Sequence, residues 1–186
     1  YWFAAMQFVQ DAVRSRRVQV EGDGFSLSCS AETWSGFPFR FEFTCANPRV
    51  LKQNVSILES RSLQAVAQAY YPWHVLLLFD GPSRLSPIIG QSVQVHHDRA
   101  LVSLRFRDTV EPEVSMEIAN VRADDHFEAR SIMAHTRPEG AGQHGLAIAV
   151  EGFHHQRADH PPLDIESASL LSTLKPGRQL EVRDIV

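Results

Sequence analysis

Nine histidines and two cysteines are the side chains of this 186-residue chain best suited to metal or nucleophile chemistry. Their spacing decides what each could do. His96 and His97 are adjacent, so in a strand they point to opposite faces and cannot chelate one ion together. His154, His155 and His160 form the densest cluster, with Asp159 among them and Pro161 and Pro162 directly after. The prolines mark a loop, and structural zinc sites show tighter paired spacing, so a surface loop is expected over the stretch His154 to His160 and no metal. His74 sits beside an apolar run and is expected to be a hydrogen-bonded structural histidine. Gly140-Ala141-Gly142-Gln143-His144-Gly145 fits GxGxxG, but a dinucleotide site needs a helix after it. Here a strand-like alternation follows, so a hairpin loop is expected and no cofactor. The chain has no GxSxG elbow, HExxH or P-loop. An enzyme is not expected.

Cys29 and Cys45 are the only cysteines. A hairpin turn centred on Phe37 puts Cys29 opposite Cys45, Ala31 opposite Phe43 and Thr33 opposite Phe41. The register that gathers the phenylalanines on one face also brings the two sulfurs together. A disulfide is the expected state. Two buried free thiols are the alternative, and a catalytic or metal-binding pair is a third, weakened by the lack of a CxxC or a further sulfur ligand. A disulfide closing a loop of this size contributes about 3 kcal/mol in the chain-entropy model. It implies an oxidising compartment.

The elements that must position these residues are mostly strands. Phe25 to Cys29, Phe39 to Cys45, Val93 to His96, Ala100 to Phe106, Val114 to Ile118 and Leu146 to Val150 each alternate apolar and polar residues. That is the pattern of antiparallel sheet with one wet face. The run Val75 to Phe79 is apolar on both faces and should be covered on both sides. Trp2, Met6, Val9 and Val13 fall on one helical face, closed by Arg14, Arg16 and Arg17. A second helix is expected from Asp164, with Ser167, Leu170, Leu171 and Leu174 on one face and Lys175-Pro176-Gly177 as its stop. The expected fold is mainly β (α+β): a curved, mostly antiparallel sheet over 18–163, an N-terminal helix over 1–17, and a short C-terminal helix and strand over 164–186. The length suits a single domain.

Hydrophobic residues make up 44% and charged residues 22%, which excludes disorder, collagen and a multi-span membrane protein. The net charge of -4 speaks against a general nucleic-acid binder.

Trp34-Ser35-Gly36-Phe37-Pro38-Phe39-Arg40-Phe41 and Ala69-Tyr70-Tyr71-Pro72-Trp73-His74-Val75, followed by Phe79-Asp80-Gly81-Pro82, resemble an uncharacterised bacterial family found mainly in alphaproteobacteria. It is the one called domain of unknown function 2125. The resemblance covers about the first half of the chain. It implies a periplasmic envelope protein, held at the inner membrane by an N-terminal hydrophobic anchor and continuing past this C-terminus. Both ends of the chain look cut, so residues 1–186 are expected to be a fragment of such a membrane-anchored protein. The family supplies no catalytic residues to carry over.

The aromatic stripe Phe37, Phe39, Phe41 and Phe43 reads either as a core face packed on the first helix or as the wall of an apolar groove. On the second reading the ligand-binding residues are Phe39, Phe41, Phe43, Val75, Leu77 and Phe79. The function expected is binding of a lipid or other apolar small molecule in the envelope, in transport between membranes. The alternative is a structural module that docks an envelope protein partner or a second copy of itself, by strand addition at an open edge. Mass spectrometry of non-reduced protein treated with an alkylating reagent should find neither cysteine modified.

Overall fold

The computed structural model describes residues 24–53, 55–86, 91–106, 112–123, 127–140, 142–157, 160–174 and 181–185, and of the first 23 residues only Gln7, Gln10 and Asp11. Its elements are β1 (Phe25–Ser28), β2 (Ala31–Ser35), β3 (Arg40–Ala46), β4 (Arg49–Lys52), β5 (Val55–Glu59), β6 (Ser62–Gln68), β7 (Tyr71–Asp80), β8 (Ser83–Leu85), β9 (Val93–His96), β10 (Arg99–Arg105), β11 (Glu113–Ala123), β12 (Phe127–Gly140), β13 (Gln143–Arg157), β14 (His160–Leu174) and β15 (Glu181–Ile185). All fifteen strands form one sheet. Every pairing is antiparallel.

The pairing reduces to a simple meander. β1 runs on into β2, β3 into β4, β5 into β6, β7 into β8 and β9 into β10, each pair forming one long pass across the sheet. β11 to β15 are passes on their own. Each pass lies beside the one before it. β11 shows why the halves belong together: Ile118 pairs with Ala100 of β10, and Arg122 pairs with His96 of β9. No described pairing joins the first pass to the last, so the sheet is open.

The breaks fall in one line, a crease that crosses the sheet. Its positions are Ser30, Asn47, Ser60-Arg61, Gly81, His97-Asp98, Asn120, Arg130, Gly152 and Glu166. The last four follow one another in register, between Ala119↔Ser131 and Val121↔Ala129, then Ser131↔Glu151, then Glu151↔Ser167 and Phe153↔Ile165. Asn47, Asn120 and Gly152 have φ of 47°, 52° and 58°. One residue in this left-handed region turns an extended strand, and asparagine and glycine tolerate it best. The turn also resets side-chain alternation. Val95, Val121 and Ala129 are buried together, with Ile118, Ala123, Phe127, Ile132 and Val150 packed on them. Ile118 and Val121 therefore lie on one side although they are three residues apart, as do Ala129 and Ile132. The sheet folds toward this side.

Three expectations are corrected. Asp164 to Leu174 is strand, not helix. Leu170 stands on the face of Ile148 and Leu171 on the opposite face beside Ala147, so leucines on both sides of one strand imitate the stripe of a helix. The hairpin register is also different. Trp34 pairs with Phe43 and Glu32 with Cys45, so β2 is shifted by three residues from the expected alignment. The disulfide still forms, with Cα atoms 5.4 Å apart, because Cys29 lies at the crease between β1 and β2 rather than inside the hairpin ladder. The stretch from His154 to His160 is not one loop: His154 and His155 are in β13 and His160 opens β14. The β12–β13 hairpin expected in Gly140 to Gly145 is there, with Gly140 paired to Gln143, but Gln143 to Gly145 already belong to β13. The helix expected over 1–17 lies outside the described residues apart from Gln7, Gln10 and Asp11. Among the described residues no helix is long and apolar enough to cross a membrane.

Gly81 carries the tightest approach in the crease: a Cβ there would stand 2.2 Å from the His97 carbonyl oxygen. A Cβ at Gly140 meets nothing within 4 Å. Gly81→Ala should therefore cost about 2 kcal/mol or more. Gly140→Ala should cost only about 1 kcal/mol, from its positive φ. Urea denaturation of both variants checks the order, and equal losses would contradict the close approach.

Candidate functional site

Residues directly opposite in an antiparallel ladder point to the same face. The register thus lays three rows of side chains across the half of the sheet on the β2 to β3 side of the crease. The middle row is Trp34, Phe43, Ala65, Leu77, Val102, Met116, Ala134, Ile148 and Leu170. One flanking row starts at Phe41, Ala67, Val75 and Leu104. The other starts at Cys45, Leu63, Phe79 and Ala100 and runs on through Ile118, Ile132 and Val150 to Ala168. This face is the one toward which the crease folds. It is buried at one margin, with Phe41 7% exposed and Cys45 0%, and half-buried along the middle row. Trp34 and Phe43 stack at 4.9 Å between ring centroids.

Five of the six sequence-predicted ligand residues, Phe41, Phe43, Val75, Leu77 and Phe79, therefore share one face. Phe39 does not: it stands 72% exposed at the β2–β3 hairpin tip. Val75 to Phe79 is half-buried on both sides. Sequence reasoning missed Val102, Met116, Ala134, Ile148 and Leu170. Each sits in an alternating run, but only the register assigns those runs to one row.

The reverse face is mixed. A shallow depression of about 350 Å³ lies there, lined by Leu101, Met133 and Leu171 together with Ser103, Ser115 and His135. None of the six predicted residues lines it. Two serine–histidine contacts cross this region: His74 Nε2 to Ser103 Oγ at 2.8 Å and His135 Nδ1 to Ser115 Oγ at 2.8 Å. The Glu113 carboxylate lies 3.5 Å from His135 Nε2. The contacts tie neighbouring strands, and His74 has the structural hydrogen bond expected of it. The backbone N–H groups of these serines belong to the ladder, whereas acyl transfer needs donors free to face an oxyanion.

The crease holds a second polar group. Ser60 Oγ donates to the Asp80 carbonyl at 2.8 Å and contacts Ser83 Oγ at 3.0 Å. Ser83 Oγ meets His97 Nε2 at 2.8 Å. His97 Nδ1 is buried with no hydrogen-bond partner among the described residues. Among the described residues no carboxylate hydrogen-bonds His97 Nδ1, the contact that orients a catalytic base. Burial pushes the His97 pKa below 6.5, against the opposing pull of Asp80 and Asp98. On the surface, the hydrogen bond that His154 Nδ1 donates to the Asp164 carboxylate raises the pKa of His154. Among the described residues no three His, Cys, Asp or Glu side chains gather as metal ligands.

A family model described as an uncharacterized protein conserved in bacteria, domain of unknown function 2125, matches residues 2–183. The chain belongs to this family. No curated protein and no solved structure matches it. The match to domain 2125 extends across the second half of the chain, where sequence motifs alone gave no resemblance. The disulfide points to an oxidising compartment outside the cytoplasm.

The two histidine shifts predict opposite pH effects. A folded-state pKa below the unfolded value means that the unfolded chain binds more protons, so the His97 contribution is present above about pH 6.5 and is lost as pH falls. The raised pKa of exposed His154 works the other way, and solvent screens it. His97→Gln keeps a partner for Ser83 and cannot titrate. The thermal midpoint of wild type relative to His97→Gln should drop between about pH 7.5 and about pH 5. A gap that does not change with pH would refute a buried, neutral His97.

Proposed function

We propose that the chain is a periplasmic envelope protein, anchored at the inner membrane, that binds a lipid or another apolar small molecule on its creased apolar face and serves in transfer between membranes. The supporting observation is the middle row, apolar without interruption from Trp34 to Leu170 and only half-buried. Isolated exposed apolar side chains are ordinary on a protein surface, but a continuous apolar surface of this extent marks an interaction or ligand site. The depth of such a face suits acyl chains, which ask for apolar walls and few polar contacts. The disulfide and the family's bacterial membership support the compartment.

A second reading has its own observation. The first and last passes are unpaired on their outer sides among the described residues, and such edges can accept a strand of another protein. On that reading the protein is an interaction module that docks an envelope partner.

Organic extraction of protein purified without detergent, followed by lipid mass spectrometry, tests the first reading. Wild type should carry lipid in near-stoichiometric amount. Met116→Gln, in the middle row, should lower it by about ten-fold, the scale of one misplaced polar group in an apolar site. Leu171→Asp, on the reverse face, should leave it unchanged. A lipid-free extract from wild type would move the assignment to the interaction module.

A further inference from the structure

The exposed large apolar side chains are not spread evenly. The aromatic ones, Phe37, Phe39, Tyr70, Tyr71 and Trp73, all lie at one end of the sheet. They sit on two neighbouring tips, the β2–β3 turn and the β6–β7 turn, which are joined by a hydrogen bond from Ala69 N to Phe39 O at 2.8 Å. Phe39 is 72% exposed, Tyr70 75% and Trp73 62%. Next to them, Phe106 N donates to Trp73 O at 2.8 Å. The exposed apolar residues nearer the opposite end, Val55, Leu85 and Leu163, are aliphatic.

The rim is also distinct in charge. Gly36 to Arg40 and Gln68 to His74 contain no aspartate or glutamate, in a chain that has 22. The basic side chains there are Arg40 and His74. Glu42, which pairs with Arg40 at 2.5 Å, is 14% exposed against 62% for the arginine. Tyrosine and tryptophan, with an apolar body and a polar tip, favour the water–lipid boundary. Against β10 the ladder runs regularly from Arg105↔His74 to the Phe106 N–Trp73 O bond, so Trp73 continues the face of Val75, Leu77 and Phe79 and the rim stands at the mouth of the apolar face.

From these observations we infer that this aromatic rim docks on a phospholipid surface bearing anionic headgroups, and presents the mouth of the apolar face to the bilayer. The inference rests on the proposed lipid-binding role for its purpose, though the docking itself is measured separately. Phe39→Ser, Tyr70→Ser and Trp73→Ser combined change only exposed side chains. Wild type should co-sediment with vesicles of phosphatidylethanolamine and phosphatidylglycerol, and the triple variant should do so at least about ten-fold less. Far-UV circular dichroism and the thermal midpoint, measured on the same preparations, should agree between the two proteins. Equal vesicle binding by the two proteins overturns the docking. So does a concentration-dependent dimer, seen by analytical ultracentrifugation, that the triple variant loses while it still binds vesicles, because the rim then faces a second copy. Wild type that binds vesicles through the rim but carries no lipid supports the docking and removes only the carrier role.

Discussion

The nine passes from β1–β2 to β14 all cross one line where strands break or alternation resets, and the structure depends on that constraint. A strand can turn without losing its neighbours only if the backbone groups released at the bend find partners nearby. Here they do so across the crease. Asn47 N bonds to Arg61 O at 3.0 Å, Ser60 N to Pro48 O at 3.1 Å, and Asp98 N to Ala119 O at 3.3 Å. Side chains complete the set: Ser60 and Ser62 reach Asp80, and Asn120 reaches Asp98. Because these bonds run from pass to pass, no single strand can straighten alone. The buried cluster around Val95, Val121 and Ala129 fills the inner angle of the bend. Polar closure on the backbone and apolar packing in the angle thus act on the same line.

The apolar face follows from this bend. A flat sheet of the same sequence would present its three rows to water over their whole length. Folding toward them buries one margin and leaves the middle row half-covered. The reverse face received serines, histidines and glutamates among its apolar residues, as at Ser103, Ser115, Glu117 and His135. The middle row is therefore apolar throughout, one flanking row meets polar residues only at Thr136 and Ser172, and the reverse face is mixed, although both faces belong to the same strands.

Strand content and the disulfide were legible from alternation and from two cysteines. The bend was not. Period-2 reading assumes that alternation never resets, so it saw separate short strands where passes run on, and it read Leu170 and Leu171, which stand on opposite faces of β14, as part of one helical face. The β2–β3 register was misplaced because the turn was centred on Phe37, whereas Gly36 to Phe39 form a wider tip and Trp34, not Ala31, faces Phe43. Sulfur proximity alone did not fix the ladder, since Cys29 stands outside it. Of the predicted ligand residues, Phe39 was assigned by alternation that had already ended at the start of β3. The wider row was invisible for a different reason: which residues stand side by side depends on the offsets of eight successive hairpins, and sequence encodes each offset only weakly.

A sheet in which every pass touches only the passes beside it resembles a zipper, and a zipper opens from its ends. The two ends of this one are unequal. Cys29 belongs to the first pass and Cys45 to the second, so their covalent link prevents the first from peeling away alone. β15, at the other end, holds to β14 through a short ladder that contains a register shift. Local opening should then travel inward from the C-terminal margin, with the cystine margin the last to part. The bond that marks the chain's compartment also gives its unfolding a direction.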